Sequence, residues 1–253
     1  MTTHSSVAQL AWQGRIPIQC DCLCDGESIG TVFWLAPRAA PLIAVAASIS
    51  EHFGFEAAGK YVWYSTCDGV ALPALPTGVL SDCLQRPLPW RLRAHFDSVA
   101  SAYATNAHNE ERLKSLLSNT LKEACFLEAG SAAAVITLPR ARLEEVHEGY
   151  LSGDRERWWR GLPEELCGHS SRPIAVRLYW VDGSRIATWR DAVTCESHAV
   201  RDASISLRAF LGAAPIDCVT INGVRPPLDV PMSCLLPLAM PDCMLHVVVA
   251  LKS

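Results

Sequence analysis

Lysine is scarce in this chain, and one lysine lies in the middle of a helical pattern. Of the 22 Lys and Arg residues, only four are Lys. One of them, Lys122, lies within SNTLKEACFLEAG, residues 118–130, where Arg would carry the same charge with equal helix propensity. A lysine amine can lose its proton and attack a carbonyl carbon, whereas an arginine guanidinium stays protonated. Lys122 is therefore a candidate nucleophile, and an ordinary surface lysine is the alternative.

Cysteine and histidine supply the other candidates for chemistry, because the chain has 11 Cys and 8 His. Cys20, Cys22 and Cys24 recur at every second residue, which on a strand places them on one face. A metal site would need a second ligand cluster at a recognised spacing, so a buried strand face is the favoured interpretation. Cys167 and His169 could form a nucleophilic pair, but nothing in the sequence selects them over other pairs. A cysteine- or metal-dependent enzyme stays an alternative.

The stretch GFEAAGKY, residues 54–61, has the spacing of a phosphate-binding loop without its context. Tyr61 stands where that loop needs the Ser or Thr that holds magnesium. A helical pattern precedes the stretch and a strand pattern follows it, whereas a phosphate-binding loop follows a strand and opens a helix. We interpret the stretch as a helix-to-strand turn and expect no cofactor.

The bulk composition is that of a globular protein with a core. Of 253 residues, 50% are hydrophobic and 19% charged, and the net charge of −4 gives no reason to expect binding to nucleic acid. The start, MTTHSS, lacks a basic region followed by an apolar stretch, so we expect no secretory signal and free thiols in a reducing compartment. The most apolar run, Val32 to Ile49, is broken by Pro37, Arg38 and Pro41 and is a poor membrane span.

Tight-turn dipeptides reveal an internal repeat. Asp25-Gly26 and Asp68-Gly69 form one pair, and Asp182-Gly183 and Asn222-Gly223 form a second pair at nearly the same spacing. Strand patterns enter and leave the first turn of each pair, a helical pattern follows, and a third strand leads into the second turn. Each copy then has a proline- and leucine-rich stretch and a closing strand.

In the first copy, the predicted strands cover residues 16–24, 31–35, 61–65 and 89–96, and the predicted helix covers 42–53. In the second copy, the predicted strands cover residues 174–181, 186–189, 218–221 and 241–249, and the predicted helix covers 203–211. This order is that of a ubiquitin-like β-grasp, in which one face of the sheet carries the helix. We therefore predict an α+β fold with two ubiquitin-like β-grasp domains flanking a central helix-rich region. The predicted bounds are 10–103, 104–168 and 172–252.

The central region contains two helical patterns. The first covers about residues 110–128, where Leu side chains at residues 113, 116, 117, 121 and 127 and Ala124 form an apolar stripe. At about 100° per residue, Lys122 points nearly opposite that stripe and should be solvated, together with Asn119 and Phe126. The second pattern covers about residues 143–160. Gly130 and Pro139 lie between the two and favour a break in the helical region.

Five short motifs follow one another in an order that a known family shares. They are WQGRIP at residues 12–17, PWRLRAHF at 89–96, LKEA at 121–124, RERWWRG at 155–161 and PDCMLHVVV at 241–249. In these motifs and their order, the chain resembles the autophagy protein 5 family, and the resemblance covers nearly the whole chain. Each motif alone is weak, but their order coincides with the two-copy plan.

The resemblance implies a specific role for Lys122. In that family, the corresponding lysine forms an isopeptide bond with the C-terminal glycine of a ubiquitin-like modifier, autophagy protein 12. An activating and a conjugating enzyme perform the transfer, so the chain itself would not be an enzyme. The conjugate acts in an E3-like manner and promotes the transfer of autophagy protein 8 to phosphatidylethanolamine during autophagosome formation. An exposed lysine is almost wholly protonated at neutral pH, so the conjugating enzyme must remove a proton at the moment of attack.

The resemblance also implies partners and a location. A helical partner, autophagy protein 16, would dock in a groove shared by the three regions, for which Trp12, Arg15, Trp158 and Trp159 are candidate residues. The basic run at residues 155–160 could face an acidic partner helix or an anionic membrane. We expect a cytoplasmic protein recruited to autophagosome-forming membranes.

The helical pattern places two candidate contact residues on the same side as Lys122. Asn119 and Phe126 lie on its side and are candidate contacts for the modifier, and packing of Phe126 against the second helix is the alternative. A scaffold of the same fold that binds its modifier without a covalent bond is the alternative to the covalent role.

Overall fold

The fold is seen in a computed structural model, which describes residues 9–55, 60–99, 110–163, 166, 172–182 and 189–252. The Asp182-Gly183 turn, most of the strand predicted over residues 186–189, and Cys167 and His169 lie outside these ranges. The predicted domain junctions also adjoin residues outside them, so the bounds of the domains stay a prediction.

The first ubiquitin-like unit is a four-stranded sheet with two helices. Its strands are β1 (Arg15–Cys24), β2 (Glu27–Pro37), β3 (Tyr61–Thr66) and β4 (Trp90–Asp97), and its helices are α1 (Ala46–Phe53) and α2 (Thr77–Leu84). The sheet order is β2-β1-β4-β3, with the two central strands parallel. A 3-10 turn over Leu42–Val45 opens the predicted helix, and α1 completes it.

The turn between β1 and β2 has the backbone that its sequence predicts. Asp25 and Gly26 have φ of 51° and 84°, the left-handed pair that a two-residue hairpin requires. Along β4, buried and more exposed residues alternate strictly, because one face packs on the core beneath the helices and the other does not.

The central region consists of four helices: α3 (Glu110–Ala129), α4 (Ala133–Ile136), α5 (Arg140–Ser152) and α6 (Arg155–Gly161). The predicted break is present, because Gly130 has a φ of 73° at the end of α3 and Pro139 precedes α5. The second pattern, predicted as one helix, is divided at Gly153, whose φ of 72° ends α5. The Asp154 carboxylate then accepts a hydrogen bond from the backbone N–H of Arg157 at 3.1 Å and caps α6.

The second unit repeats the plan of the first. Its strands are β5 (Ile174–Val181), β6 (Val193–Val200), β7 (Ile216–Ile221) and β8 (Leu245–Leu251), in the order β6-β5-β8-β7. Two short helices, α7 (Trp189–Ala192) and α8 (Leu207–Leu211), and a 3-10 helix (Met232–Leu238) complete it. The predicted α+β class with two β-grasp units around a helical region is confirmed.

Two predictions for the second unit need comment. β5 pairs with β6, whereas the sequence predicted residues 186–189 as its partner; residues 186–188 lie outside the described ranges, and Trp189 is helical. The helix predicted over residues 203–211 is shortened to α8, because Ser206 caps it by accepting a hydrogen bond from Ala209 N. In both places polar and apolar residues alternate too irregularly for their periodicity to identify the element.

The outer faces of the two sheets have different surroundings. Helices α2 and α3 pack against β8 and β5, and residues from both faces of the second sheet are buried, including Tyr179 and Val248. The second sheet therefore lies between two layers, and five consecutive residues of β8 are buried. The outer face of the first sheet carries exposed residues such as Phe33 and Arg93.

Two glycines allow α5 and α6 to pack with their backbones close together. A Cβ atom on Gly149 would lie 2.7 Å from Cα of Trp158, and one on Gly161 would lie 2.6 Å from Cγ2 of Val146. A real Cβ cannot occupy either place unless the helices move apart.

Gly149→Ala should therefore destabilise the protein, although helix propensity alone predicts a gain of about 1 kcal/mol. We expect a loss of about 2 kcal/mol in the free energy of unfolding, measured by urea denaturation, because the helices must separate. Ser115→Ala, on an exposed position of α3, should change it by less than about 0.5 kcal/mol. A stabilised Gly149→Ala variant would contradict the close packing.

Candidate functional site

Helix α3 is held on two sides. Its buried residues join a cluster that includes Val146 and Tyr150 of α5 and Ala175 and Met244 of the second unit. The residues that α3 contributes to this cluster are Leu117, Leu121, Ala124 and Cys125, and Leu113 is buried as well. The helix is thus fixed by the core that joins the helical region to the second unit.

Lys122 lies on the flank of α3, and its side chain is half-buried. The sequence predicted a solvated position, and the structure shows a side chain that is only partly exposed. Cys125 is buried while Leu116 is 37% exposed, so the buried face is turned toward the side of Lys122. This partial burial is compatible with an amine in water, because a lysine stem can lie along apolar surface while its charged end stays solvated.

The Lys122 amine has no hydrogen bond or ion pair to any residue that the structure describes. Lys60, in contrast, binds Asp25 at 2.8 Å and Ser98 at 3.0 Å. The backbone on either side of Lys122 is fixed, because Leu121 is buried and the Glu123 carboxylate accepts a hydrogen bond from Arg177 at 2.5 Å. The structure therefore presents an unpaired amine on a rigid helix.

The nearest carboxylates on α3 are not placed to remove a proton from this amine. Glu123 is occupied by Arg177 of the second unit. Burial raises the pKa of Glu128 to about 7, with Arg172 opposing that shift, but six residues along a helix correspond to about 9 Å. A base for attack by Lys122 must therefore come from outside α3.

Asn119 and Phe126 lie on the same side of α3 as Lys122. Asn119 is exposed, and Phe126 is 60% exposed. This exposure favours a contact with another protein over packing against the following helix, because a packed ring would be largely buried. Together with the amine, the two side chains form a small surface with polar and apolar groups.

Two buried tryptophans join the three regions of the chain. Trp12 donates a hydrogen bond through Nε1 to the carbonyl of Gly153 at 2.7 Å, and Trp158 donates one to the carbonyl of Pro241 at 2.7 Å. Their ring centroids are 4.9 Å apart. The segment before β1, helix α6 and the segment before β8 thus meet at one contact.

This burial changes the set of predicted groove residues. Trp12 and Trp158 pack inside and do not line a surface, because their indoles satisfy buried carbonyl groups. Arg15 and Trp159 are exposed. Trp159 is 44% exposed, and the guanidinium of Arg155 lies 5.6 Å from the centroid of its ring. Only these last two predicted residues, Arg15 and Trp159, are available to a partner.

A surface groove between β2 and the end of α5 was missed by the sequence analysis. Phe33 is 72% and Leu35 65% exposed, and both lie on the outer face of β2. The groove has a volume of about 490 Å³ and is lined by Phe33, Trp34, Leu35, Pro37, Ala44, Val45, Leu151 and Ser152. A signal existed, because VFWLA is apolar on both faces of a strand whose unit has one core.

Arg38 forms a second link between the two units. Its Nη2 lies 2.5 Å from Asp82 of α2, and its Nε donates to the side chain of Asn222 at 3.2 Å. Asp82 also accepts a hydrogen bond from the backbone N–H of Gly223 at 2.9 Å. Burial raises the pKa of Asp82, and Arg38 opposes this shift. No local sequence pattern indicates this link, since the partners are up to 184 residues apart.

The remaining cysteine, loop and histidine candidates occupy positions that the fold itself explains. Cys20 and Cys22 are buried, and a hydrogen bond from Cys22, reinforced by burial, raises the pKa of the Cys20 thiol. The residue order around 54–61 is helix then strand, as expected for a turn. His246 is buried, bonded to Asp242 at 2.9 Å and to the Tyr179 hydroxyl at 2.9 Å.

Two features absent from the described ranges bear on the alternatives. Within those ranges, no group of three or more His, Cys, Asp or Glu residues is arranged to hold a metal ion. None of the helices described is both long and apolar enough to cross a membrane.

Two β-grasp units joined through a helical region that displays an unpaired lysine define a scaffold protein of ubiquitin-like fold. A sequence profile of the alpha-helical bundle region of autophagy protein ATG5 matches residues 110–161, which include Lys122. In this region and in the relatives below, the chain is similar to the autophagy protein 5 family.

Similar proteins come from plants and yeast. Autophagy protein 5 of Oryza sativa subsp. indica is 26% identical over 192 residues, 72% of this chain and 50% of the relative. Autophagy protein 5 of Arabidopsis thaliana is 24% identical over 165 residues, 62% of this chain and 49% of the relative. The chain thus spans about half the length of the curated relatives it matches.

The crystal structure of Kluyveromyces marxianus Atg5 has the same fold. It superposes with a TM-score of 0.73 over 97% of this chain and 99% of that chain, at 17% sequence identity. The fold is therefore shared across nearly the whole of both chains.

Proposed function

We propose that this chain is an acceptor for a ubiquitin-like modifier, autophagy protein 12, and that Lys122 carries the isopeptide bond. The observation that carries the proposal is the unpaired amine of Lys122, fixed on a helix within the matched ATG5 region. Three of its features suit acceptor chemistry: no counter-ion among the described residues must be displaced, the helix is rigid, and the adjacent Asn119 and Phe126 are exposed.

The proposed step is an aminolysis. The neutral Nζ of Lys122 attacks the carbonyl carbon of the modifier's C-terminal glycine, which arrives as a thioester on the cysteine of a conjugating enzyme. The C–N bond forms, the C–S bond breaks and the cysteine thiolate leaves. The conjugating enzyme supplies the base that takes the amine proton, since Glu123 is bound to Arg177 and Glu128 is distant. The chain contributes position and no catalytic side chain.

A helical partner resembling autophagy protein 16 would dock in the groove between β2 and α5. Phe33 and Leu35 offer apolar anchors there, as an amphipathic helix requires. Exposed Arg15 and Trp159 supply cationic and aromatic groups of the kind enriched at protein interfaces. This assembly, in the cytoplasm and recruited to autophagosome-forming membranes, would act in an E3-like manner on the lipidation of autophagy protein 8.

Lys122→Arg should abolish covalent modification. When the chain is expressed with the modifier and its activating and conjugating enzymes, we expect a heavier band on a denaturing gel for the wild type. The substitution keeps charge and helix propensity but removes the nucleophile, so the heavier band should be lost.

Lys114→Arg, two turns earlier on α3, is the matched control and should conjugate normally. A heavier band that survives in Lys122→Arg would place the bond elsewhere. Co-purification of the modifier without a heavier band would favour a non-covalent scaffold.

Phe126→Ala should slow conjugation by about threefold to tenfold, because it removes an exposed apolar contact worth about 1 kcal/mol. The measurement is the initial rate of heavier-band formation at limiting conjugating enzyme. Leu116→Ala removes an apolar side chain from the other flank of the same helix and should not change that rate. Equal rates for wild type and Phe126→Ala would remove Phe126 from the contact.

Leu35→Asp and Trp159→Asp should each weaken binding of the helical partner by at least about tenfold, because each places a charge where an apolar contact forms. Isothermal titration with the partner helix measures this. Tyr61→Asp is the control, because Tyr61 is 41% exposed on β3, at the opposite edge of the sheet. Unchanged affinity with native circular dichroism would exclude the altered residue from the interface.

A further inference from the structure

Three of the edge strands that the structure describes are protected against pairing with a further strand. β2 has an extra residue, Ile29, in its pairing with β1, and β7 has an extra residue, Asp217, in its pairing with β8. The outer side of β3 is covered by the chain that follows it, since the N–H of Leu72 donates to the carbonyl of Tyr64 at 2.9 Å. Bulges and covered edges are the usual means by which proteins prevent edge-to-edge pairing.

Strand β6 lacks these protections. All eight of its residues pair with β5 in one register without a bulge, and the strand contains neither Pro nor Lys. Five of the eight residues are exposed. Among the described residues, none forms a backbone hydrogen bond to the side of β6 that faces away from β5. β6 is therefore an open edge of the second sheet.

The backbone groups that β6 presents at this edge follow from the geometry of the ladder. The N–H of Asp182 donates to the carbonyl of Ala192 at 3.1 Å, so these two residues form a hydrogen-bonded pair. Because such pairs alternate along an antiparallel ladder, every second residue of β6 points its N–H and C=O groups away from β5. These residues are Cys195, Ser197 and Ala199. All three are exposed and have small side chains, so a further strand can approach them closely.

The order of side chains along β6 fits a second copy of the same strand. If two copies pair antiparallel about a two-fold axis at Ser197, each Glu196 lies opposite His198 of the other copy. Within one copy these two side chains are already 3.2 Å apart, from Oε2 to Nε2, so carboxylates and imidazoles would alternate around the axis. An axis at Glu196 would instead place two carboxylates directly opposite each other, which is unfavourable. The charges thus favour one occupant and one register.

The position of α3 leaves room for this pairing. Helix α3 packs on β5, and the residues Thr194 to Ser197 of β6 remain exposed beside it. With neighbouring strands about 4.8 Å apart, the β5 strands of the two copies would be about 14 Å apart. Packed helices lie about 8–10 Å apart, so the two α3 helices would not overlap.

We propose that two copies of this chain associate through β6, so that their second sheets form one continuous sheet across a two-fold axis at Ser197. The interface is isologous, since each copy contributes the same strand. It involves neither Lys122 nor the groove beside β2, and it does not depend on the proposed acceptor function.

Ser197→Lys tests the surface. Sedimentation velocity of the full chain between about 1 and about 200 μM should show the mass rising from monomer to dimer with concentration. The substitution places two ammonium groups opposite each other at the axis, so the dissociation constant of the dimer should rise at least about fivefold. Ser28→Lys, at an exposed position of edge strand β2, is the matched control and should leave that constant unchanged. Urea denaturation should show that both variants are folded.

Ala199→Cys tests the register. In the proposed pairing it places a thiol opposite the exposed Cys195 of the second copy, at a Cα separation of about 5.5 Å that suits a disulfide. Under mild oxidation we expect a covalent dimer on a non-reducing gel, and peptide mass spectrometry should find Cys195 linked to the introduced cysteine. Ser28→Cys is the control and should give no more covalent dimer than the wild type.

Three results would overturn the proposal. One is a monomeric mass at every concentration, which would leave the edge available to a strand of another protein. Another is a dimer that dissociates equally in the wild type and in Ser197→Lys, because it would form through a different surface. The third is the absence of the linked Cys195 peptide from oxidised Ala199→Cys. None of these results bears on conjugation at Lys122, which the denaturing gel measures separately.

Discussion

The contact between Trp12 and Trp158 is the point on which the arrangement of the three regions depends. A tryptophan buries roughly 150–250 Å² of surface, and each of these indoles also satisfies a carbonyl group belonging to a different region. Loss of either ring would leave a buried carbonyl without a donor as well as a cavity. The contact thus fixes where α5 and α6 lie relative to both β-grasp units.

Two consequences for the surface follow from that junction. Gly153, whose carbonyl accepts the hydrogen bond from Trp12, directly follows Leu151 and Ser152, which line the groove beside β2. The contact between Trp12 and Trp158 therefore helps to fix the wall of that groove. Helix α3 packs on Tyr150 of α5 and on Met244 of the second unit, so these two regions together fix the position of Lys122. The link of Arg38 to Asp82 and Asn222 also joins the two units. Buried contacts between the regions therefore position both Lys122 and the groove beside β2.

Local sequence signals predicted the elements that depend on local physics. The Asp25-Gly26 turn, the bounds of α3 and the break at Gly130 were predictable, because backbone conformation and helical periodicity determine them. The helix of residues 203–211 was overestimated, since a serine cap inside the pattern begins α8 only at Leu207.

Contacts between distant residues were not predictable in this way. The sequence pointed to Trp12 and Trp158 as aromatic residues of interest, but only the fold shows that Gly153 and Pro241 accept their protons and bury them. The solvation of Lys122 was overestimated for a related reason: Cys125, not Leu116, faces the core formed by α5 and the second unit. The partners of Arg38 likewise come together only after both units have folded.

The unequal covering of the two sheets has a consequence for the order of events as the chain emerges from the ribosome. The first sheet has one face on its own core and can become compact once β4 has been synthesised. The central strands β5 and β8 of the second sheet are buried on both faces, and one face packs on α2 and α3, so these strands mature only against partners made earlier. Ala175 and Met244 belong to the cluster on which α3 packs. The amine of Lys122 therefore reaches its final position only after the segment that leads into β8 has been translated. Incomplete chains would therefore be poor substrates for the conjugation that we propose.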